Sequence, residues 1–301
     1  MALHSLYGIY LNNLRWHQIQ NLYNEYVPQG KAKLKVDRIL EIIDLLDELP
    51  KDEMIDQYLF TGRTSIKWYR LDGNLNHKIG SIEKQINSKY PTIFENPLDL
   101  VLNDKFQPIH AIKMNENSIL LTLGISSYRD HTIFKNCQLV SYPSEYFSYA
   151  IIRNSTPILE IRSNDVLRVK IGDTLEKELN IGIKGLTEIN PITQDQFMEF
   201  KSNIPDSKIR KYKGKSIDDN SFHDIFEVTA KPGIDYGGDI DAFEKMREQL
   251  EDVSLTISFE YNDSVFAFRI SILTGSIYFP TFVSEDAIKY ISEIFQTTIW
   301  S

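Results

Sequence analysis

Between residues 60 and 118 the spacing of apolar residues changes from three and four to two, and that change constrains the fold more than any motif. Leu3, Leu6, Tyr7, Tyr10 and Leu14, then Ile19, Leu22, Tyr23 and Tyr26, lie at the spacing of one helical face. Val27-Pro28-Gln29-Gly30 ends this element, because Pro28 disfavours helix in the residue before it and Gly30 permits a turn. A second helix is predicted over 36–49, with Val36, Ile39, Leu40, Ile43 and Leu46 inward and Pro50 as its stop, and a third over 52–60. Residues 64–71 carry β-favouring side chains and read as a strand that closes this part, before an Asp72-Gly73-Asn74 turn. The expected division is therefore a helical domain at 1–73 and an α+β, antiparallel-sheet domain at 74–301.

Short helices are expected over 81–88 and 96–103. From Ser118 onward, 118–125, 138–142, 146–153, 157–162 and 166–171 read as successive strands split by Asn, Ser, Pro and Gly, the signature of an antiparallel sheet. A helix is predicted over 193–201. The last hundred residues start with a helix from Asp241, which has capping-box spacing to Glu244, to about Val253. Strands over 255–261 and 265–274 then flank the hairpin signal Asn262-Asp263-Ser264, followed by a strand over 276–282 and a final helix capped by Ser284, with Ile288, Ile291, Ile294 and Phe295 inward. The fold class is α+β: an N-terminal helical domain, an antiparallel-sheet region and a C-terminal helix-strand-strand-strand-helix unit.

At 301 residues and 42% hydrophobic content, the chain is long enough for two domains, and its ordinary composition excludes collagenous, disordered and coiled-coil chains. A lone Cys137 excludes a disulfide scaffold and a thiolate zinc site and suits a reducing compartment. The opening residues lack a basic lead, and no run of 18 apolar residues occurs. The expectation is an intracellular protein, cytoplasmic or nuclear, with no membrane association.

Chemical motifs are sparse. Lys213-Gly214-Lys215-Ser216 resembles the tail of a phosphate-binding loop, but Ile209 stands where the leading glycine belongs. His4, His17, His77, His110, His131 and His223 fall at no metal-ligand spacing, and no serine occupies a nucleophile elbow. Arg129-Asp130-His131 and Phe222-His223-Asp224 place carboxylate beside imidazole, yet neighbours on a strand face opposite ways. The loop over 232–241 has three carboxylates among glycines but lacks the calcium-loop pattern. Glu160 and Arg162 on a predicted strand, with Asp99 upstream, are the residues around which a metal-dependent nuclease would be built. Arg162 is a poor substitute for the usual lysine, and strand-edge charges are the simpler reading. No catalytic residue, metal site or cofactor is expected.

Charge is more informative. The formal net charge is −9, but residues 201–215 carry Lys201, Lys208, Arg210, Lys211, Lys213 and Lys215 against Asp206 alone. Residues 61–89 carry Arg63, Lys67, Arg70, Lys78, Lys84 and Lys89 against Asp72 and Glu83, with Trp68 and Tyr69 interleaved. Lys31, Lys33, Lys35 and Arg38 form a third basic group. Acid concentrates at 41–56 and at 218–260, where twelve acids face three bases. Convergent basic stretches would neutralise phosphates, with aromatic rings available for stacking; the alternative is a bipolar surface pairing with acidic faces of the same or another chain.

Ser65-Ile66-Lys67-Trp68-Tyr69-Arg70-Leu71 after a helical region, Glu116 to Gly124, and Tyr146 to Pro157 together resemble centromere protein N and its fungal relatives. The terminal order of strands and helix also looks like one half of a TATA-box-binding-protein fold. The resemblance implies a non-enzymatic module that binds DNA or chromatin together with a protein partner. The expected contacts to nucleic-acid backbone are Lys208, Arg210, Lys211, Lys213 and Lys215, with Arg63, Lys67 and Arg70 as a second surface. The alternatives are a protein-protein adaptor or homo-oligomer that assembles through its segregated acidic and basic faces, and the nuclease built around Glu160.

Overall fold

The computed structural model describes residues 7, 8, 11, 14, 16–45, 64–71, 79–135, 138–153, 158–184, 191–216, 225–231, 235, 250–281 and 283–300. The chain is α+β, with helices towards both ends of the sequence and antiparallel strands between. It forms two compact units, one of residues 1–60 and 68–187 and the other of 61–67 and 188–301. Strand β1 (Thr64–Leu71) therefore gives its first half to the second unit and the rest to the first. This is a different division from one at residue 73, and packing explains it. The N-terminal Tyr7, Leu11, Leu14, Ile19, Leu22, Ile39 and Ile42 bury themselves against Leu120 and Ile151 of the sheet, which makes the helices one layer of that unit.

In the first unit, helices α1 (Trp16–Tyr26) and α2 (Lys35–Asp44) precede β1, and α3 (Ile79–Lys89) follows it. Then come β2 (Gln107–Asn115), β3 (Ser118–Lys135), β4 (Gln138–Arg153), β5 (Ile158–Arg162), α4 (Asp165–Leu179) and β6 (Ile183–Lys184). The strands line up as β2-β3-β4-β5-β1, with β6 on β1. One face of this sheet packs Leu121, Leu123, Ile152 and Ile161 against Ile82 and Ile86 of α3 and Ile171 and Leu175 of α4. The other face carries α1 and α2.

Three expectations change here. Residues 166–171 are not a strand but the start of α4: the Asn164 side chain accepts from the Leu167 amide at 3.0 Å, and Asn180 closes the helix at φ 49°. Val166 and Val169 gave the stretch its alternation, but they lie on the solvent side of the helix at 75% and 39% exposure, while Arg168, Ile171 and Leu175 turn inward. Residues 96–103 form no helix. This segment and the turns before it run along β2, with the Leu98 amide donating to the Ile109 carbonyl and the Ala111 amide to that of Ile93, so that the sheet edge is covered. The stretches 138–142 and 146–153 are one long strand, β4.

The second unit contains the first half of β1, α5 (Gln194–Ser202), β7 (Lys208–Ser216), β8 (Ile225–Thr229), β9 (Leu250–Tyr261), β10 (Ser264–Ser271), β11 (Ile277–Phe279) and α6 (Glu285–Ile299). Residues 250–253, the end of the helix predicted from Asp241 to about Val253, belong to β9 instead; Asp241 and the rest of that predicted helix, the predicted helix over 52–60, the turn at 72–74, and Arg63, Lys78 and Cys137 lie outside the described residues. Thr193 and Gln196 cap α5 with a reciprocal box, and Ser284 caps α6 through the Ala287 amide. Asn262 and Asp263 join β9 to β10 at φ 49° and 58°, the left-handed pair that a two-residue hairpin needs. The strand order is β1-β11-β10-β9-β7-β8. Its inner face stacks Phe268 against Phe200, Phe259 and Phe279, and Phe200 in turn meets Phe295 of α6. No helix among the described residues covers the outer face, and none is long and apolar enough to cross a membrane.

Candidate nucleic-acid interface

Strand β7 is the most basic element of the chain, and its sequence has little intrinsic preference for a strand. Two residues set it in place. Ile209 and Tyr212 are both fully buried, although three positions apart, because a bulge at Arg210 inserts one residue between the Ile209 and Lys211 pairings with β9. The bulge leaves Arg210 and Lys211 both on the outer side, and Lys213 and Lys215 follow them at the strand period of two. The start of the strand is pinned by Asp235, which accepts the Ile209 amide at 2.7 Å and pairs with Lys201 at 3.2 Å. Asp235 is one of the three carboxylates of the 232–241 sequence, and these two contacts are structural.

Register carries the outer face across the sheet. Lys211 faces Thr256, Thr256 faces Arg269, Arg269 faces Tyr278, and Tyr278 faces Ser65. One rung along, Lys213 faces Ser254, which faces Ser271, and Lys208 faces Ser258. Lys67 lies two residues beyond Ser65 and so points to the same side. The result is a floor of small hydroxyls on β9, bordered by the cations of β7 on one side and Arg269 and Lys67 on the other. With strands about 4.8 Å apart, Lys211 and Arg269 stand about 10 Å apart at their backbones. The Arg269 guanidinium also lies 5.9 Å from the centre of the Tyr278 ring.

Acids stand in this face too: Glu260 follows Ser258 at the strand period of two and is exposed, and Glu251 is paired with Lys215 in register. Glu227 of β8 is directly opposite Lys213 and bonds Lys211 at 2.8 Å. The Lys211 hydrogen bond and charge, followed by Arg269 and Lys213, hold its carboxyl below the usual glutamate range.

The expected contact residues do not all meet. Lys208, Arg210, Lys211, Lys213, Lys215 and Lys67 share one sheet face of the second unit, whereas Arg70 belongs to the first unit and pairs with Lys184 through its backbone. Lys31, Lys33, Lys35, Arg38, Lys84 and Lys89 also belong to the first unit; Lys89 is paired with Glu178 at 2.6 Å, and Arg38 lies over the rings of Trp16 and Tyr23. Trp68 and Tyr69 offer no stacking surface, since they are 3% and 4% exposed. Arg269 and Tyr278 were missed from the sequence. Their signal was present: Arg269 is the single charge in β10 and alternates with Phe268 and Ile270, which marks the outward face.

The nuclease arrangement around Glu160 does not form. Glu160 is fully buried, its Oε2 accepts the Trp68 indole N–H at 2.9 Å, its Oε1 accepts Arg162 Nε at 2.5 Å, and Arg153 lies 3.7 Å away. Burial by itself pushes this carboxyl up, but the two guanidiniums and the two hydrogen bonds outweigh it and hold the group below the usual glutamate range. Both oxygens are thus engaged away from solvent. Among the described residues, no three His, Cys, Asp or Glu side chains gather as a metal site.

A scan against protein-family models matches no family. A search of the curated proteins finds no match.

Proposed function

We propose that this protein is a non-enzymatic binder of nucleic-acid backbone, and that the outer face of the second unit's sheet is its contact surface. The observation that supports this reading is the gathering of Lys208, Arg210, Lys211, Lys213, Lys215, Lys67 and Arg269 on one sheet face of the second unit, in a chain whose net charge is −9. Cations spaced along a strand and across a hydroxyl floor neutralise phosphates without reading base edges. A DNA or chromatin partner is consistent with the resemblance carried by residues 65–71, 116–124 and 146–157. The experiment is fluorescence anisotropy of labelled duplex DNA over a salt series. Binding should weaken with salt at a log-log slope of about 0.9 per phosphate contacted, and should collapse when Lys208, Arg210, Lys211, Lys213 and Lys215 are changed to Glu. No binding at low salt rejects the reading.

A protein-protein adaptor is the second reading, and one observation favours it. Leu34, Val36 and Leu40 are 66%, 62% and 53% exposed around the start of α2, although Val36 and Leu40 were expected to face inward, so this end of the helix presents apolar side chains to water. A native mass above that of one chain that survives high salt, and falls when Val36 and Leu40 become Ser, is its test.

A further inference from the structure

The inference concerns Glu227, the acid bonded to Lys211 inside the basic face, and rests on the backbone-binding reading. Lys213 and Glu227 are paired in register across β7 and β8, and the Glu227 carboxylate reaches Lys211 at 2.8 Å. Arg269 lies in the rung of Lys211, two strands away through Thr256, and its charge also bears on this carboxylate. A carboxylate held among lysines and an arginine on a strand face occupies the position that a phosphate oxygen would take there, with the same charge sign and the same donors. Both partners of the Lys211–Glu227 bridge are about half exposed, so an incoming anion reaches them without unfolding anything.

We propose that Glu227 is a built-in counter-anion: it neutralises Lys211 in the unbound protein, must be displaced by a phosphate, and so sets how weakly the face holds a nucleic acid. Lys211 then contributes to binding only when the polyanion is dense enough in charge to outcompete Glu227. Duplex DNA, which presents one charge per about 1.7 Å of its axis, meets that requirement better than a single strand.

The test is the affinity of labelled duplex DNA for the full-length protein and its Glu227→Gln variant, measured across salt. Glutamine keeps the shape and removes the charge, so affinity at low salt should rise about fivefold and the salt slope should steepen by up to about 0.9 as one further phosphate is engaged. The gain should disappear in the double variant Glu227→Gln with Lys211→Gln, which has no cation left to release. A parent that binds and a Glu227→Gln variant of equal or weaker affinity overturns the counter-anion while leaving the binding face in place. If neither protein binds, the face and the counter-anion fall together. An equal gain with and without Lys211 also overturns the inference, since the effect is then one of net charge alone.

Discussion

At the scale of single residues, the first unit contains the strongest constraints, and they are polar. Glu160 is enclosed with Arg162, Arg153 and Trp68, and each removed charge leaves another without its partner. Glu160→Gln should therefore lower unfolding stability by about 3–5 kcal/mol, read from urea denaturation at neutral pH. Because the folded-state pKa of Glu160 lies below its unfolded value, its contribution is present above the unfolded pKa and is lost as pH falls through the folded one. His110 acts in the same direction from a different cause, the burial of a neutral ring. It is 5% exposed on β2, its Nδ1 has no hydrogen-bond partner among the described residues, and burial lowers its pKa from 6.5 to about 4. The folded protein holds this imidazole neutral while the unfolded chain takes up a proton below about 6.5. Stability should fall as pH drops from about 6.5 to about 4, by about 3 kcal/mol in total, and His110→Phe should remove that part of the pH dependence. A denaturation series at half-unit pH steps measures both effects.

At the scale of elements, α4 shows how a capping residue outranks an apparent strand pattern. The segment Val166-Leu167-Arg168-Val169-Lys170-Ile171 alternates well enough to suggest a strand, but Asn164 fixes a helical start and burial follows the helical period through Arg168, Ile171 and Leu175. Asn164→Ala should cost about 1 kcal/mol of stability without changing the fold, as measured by thermal unfolding. Strand β7 makes the same point from the other side. Its charges say nothing about a strand; Ile209 and Tyr212 define one only because a bulge brings both to the same face, and a bulge has no dependable mark in sequence. By contrast, β1 falls at Thr64–Leu71 as its side chains predict, and the Asn262-Asp263 hairpin and the Ser284 cap are local chemistry that can be read directly.

At the scale of the whole molecule, β1 decides which basic residues can act together. Lys67 and Arg70 lie three apart on one strand, so their side chains leave on opposite sides, and only Lys67 shares the side of Ser65 and, through the register, of Arg269 and Lys211. In the anisotropy experiment Lys67→Glu and Arg269→Glu should each weaken duplex binding several-fold, and Arg70→Glu should leave it within about twofold. An equal loss for Arg70→Glu places the contact surface elsewhere. Most of the candidate set was legible as residues because charge clustering is a property of the chain, but that Lys208 to Lys215 form a strand, and which way its bulge turns them, was not. Arg269 and Tyr278 were not, because they are isolated in sequence and join the set only through cross-strand pairing. Glu227 was visible only as one of twelve acids in an acidic stretch.

The sequence by itself determined the α+β class, most element positions and the segregation of charge, since periodicity, caps, turns and composition act over a few residues. The tertiary structure alone decided that β1 serves both units, that Glu160 is a buried ion-pair partner rather than a solvent-facing acid, and that cations from β1, β7 and β10 share one face. The physical reason is one of range. Helix and turn chemistry is settled between neighbours in the chain, whereas register, burial and the sharing of a sheet face are settled by pairings between residues 34 to 215 positions apart.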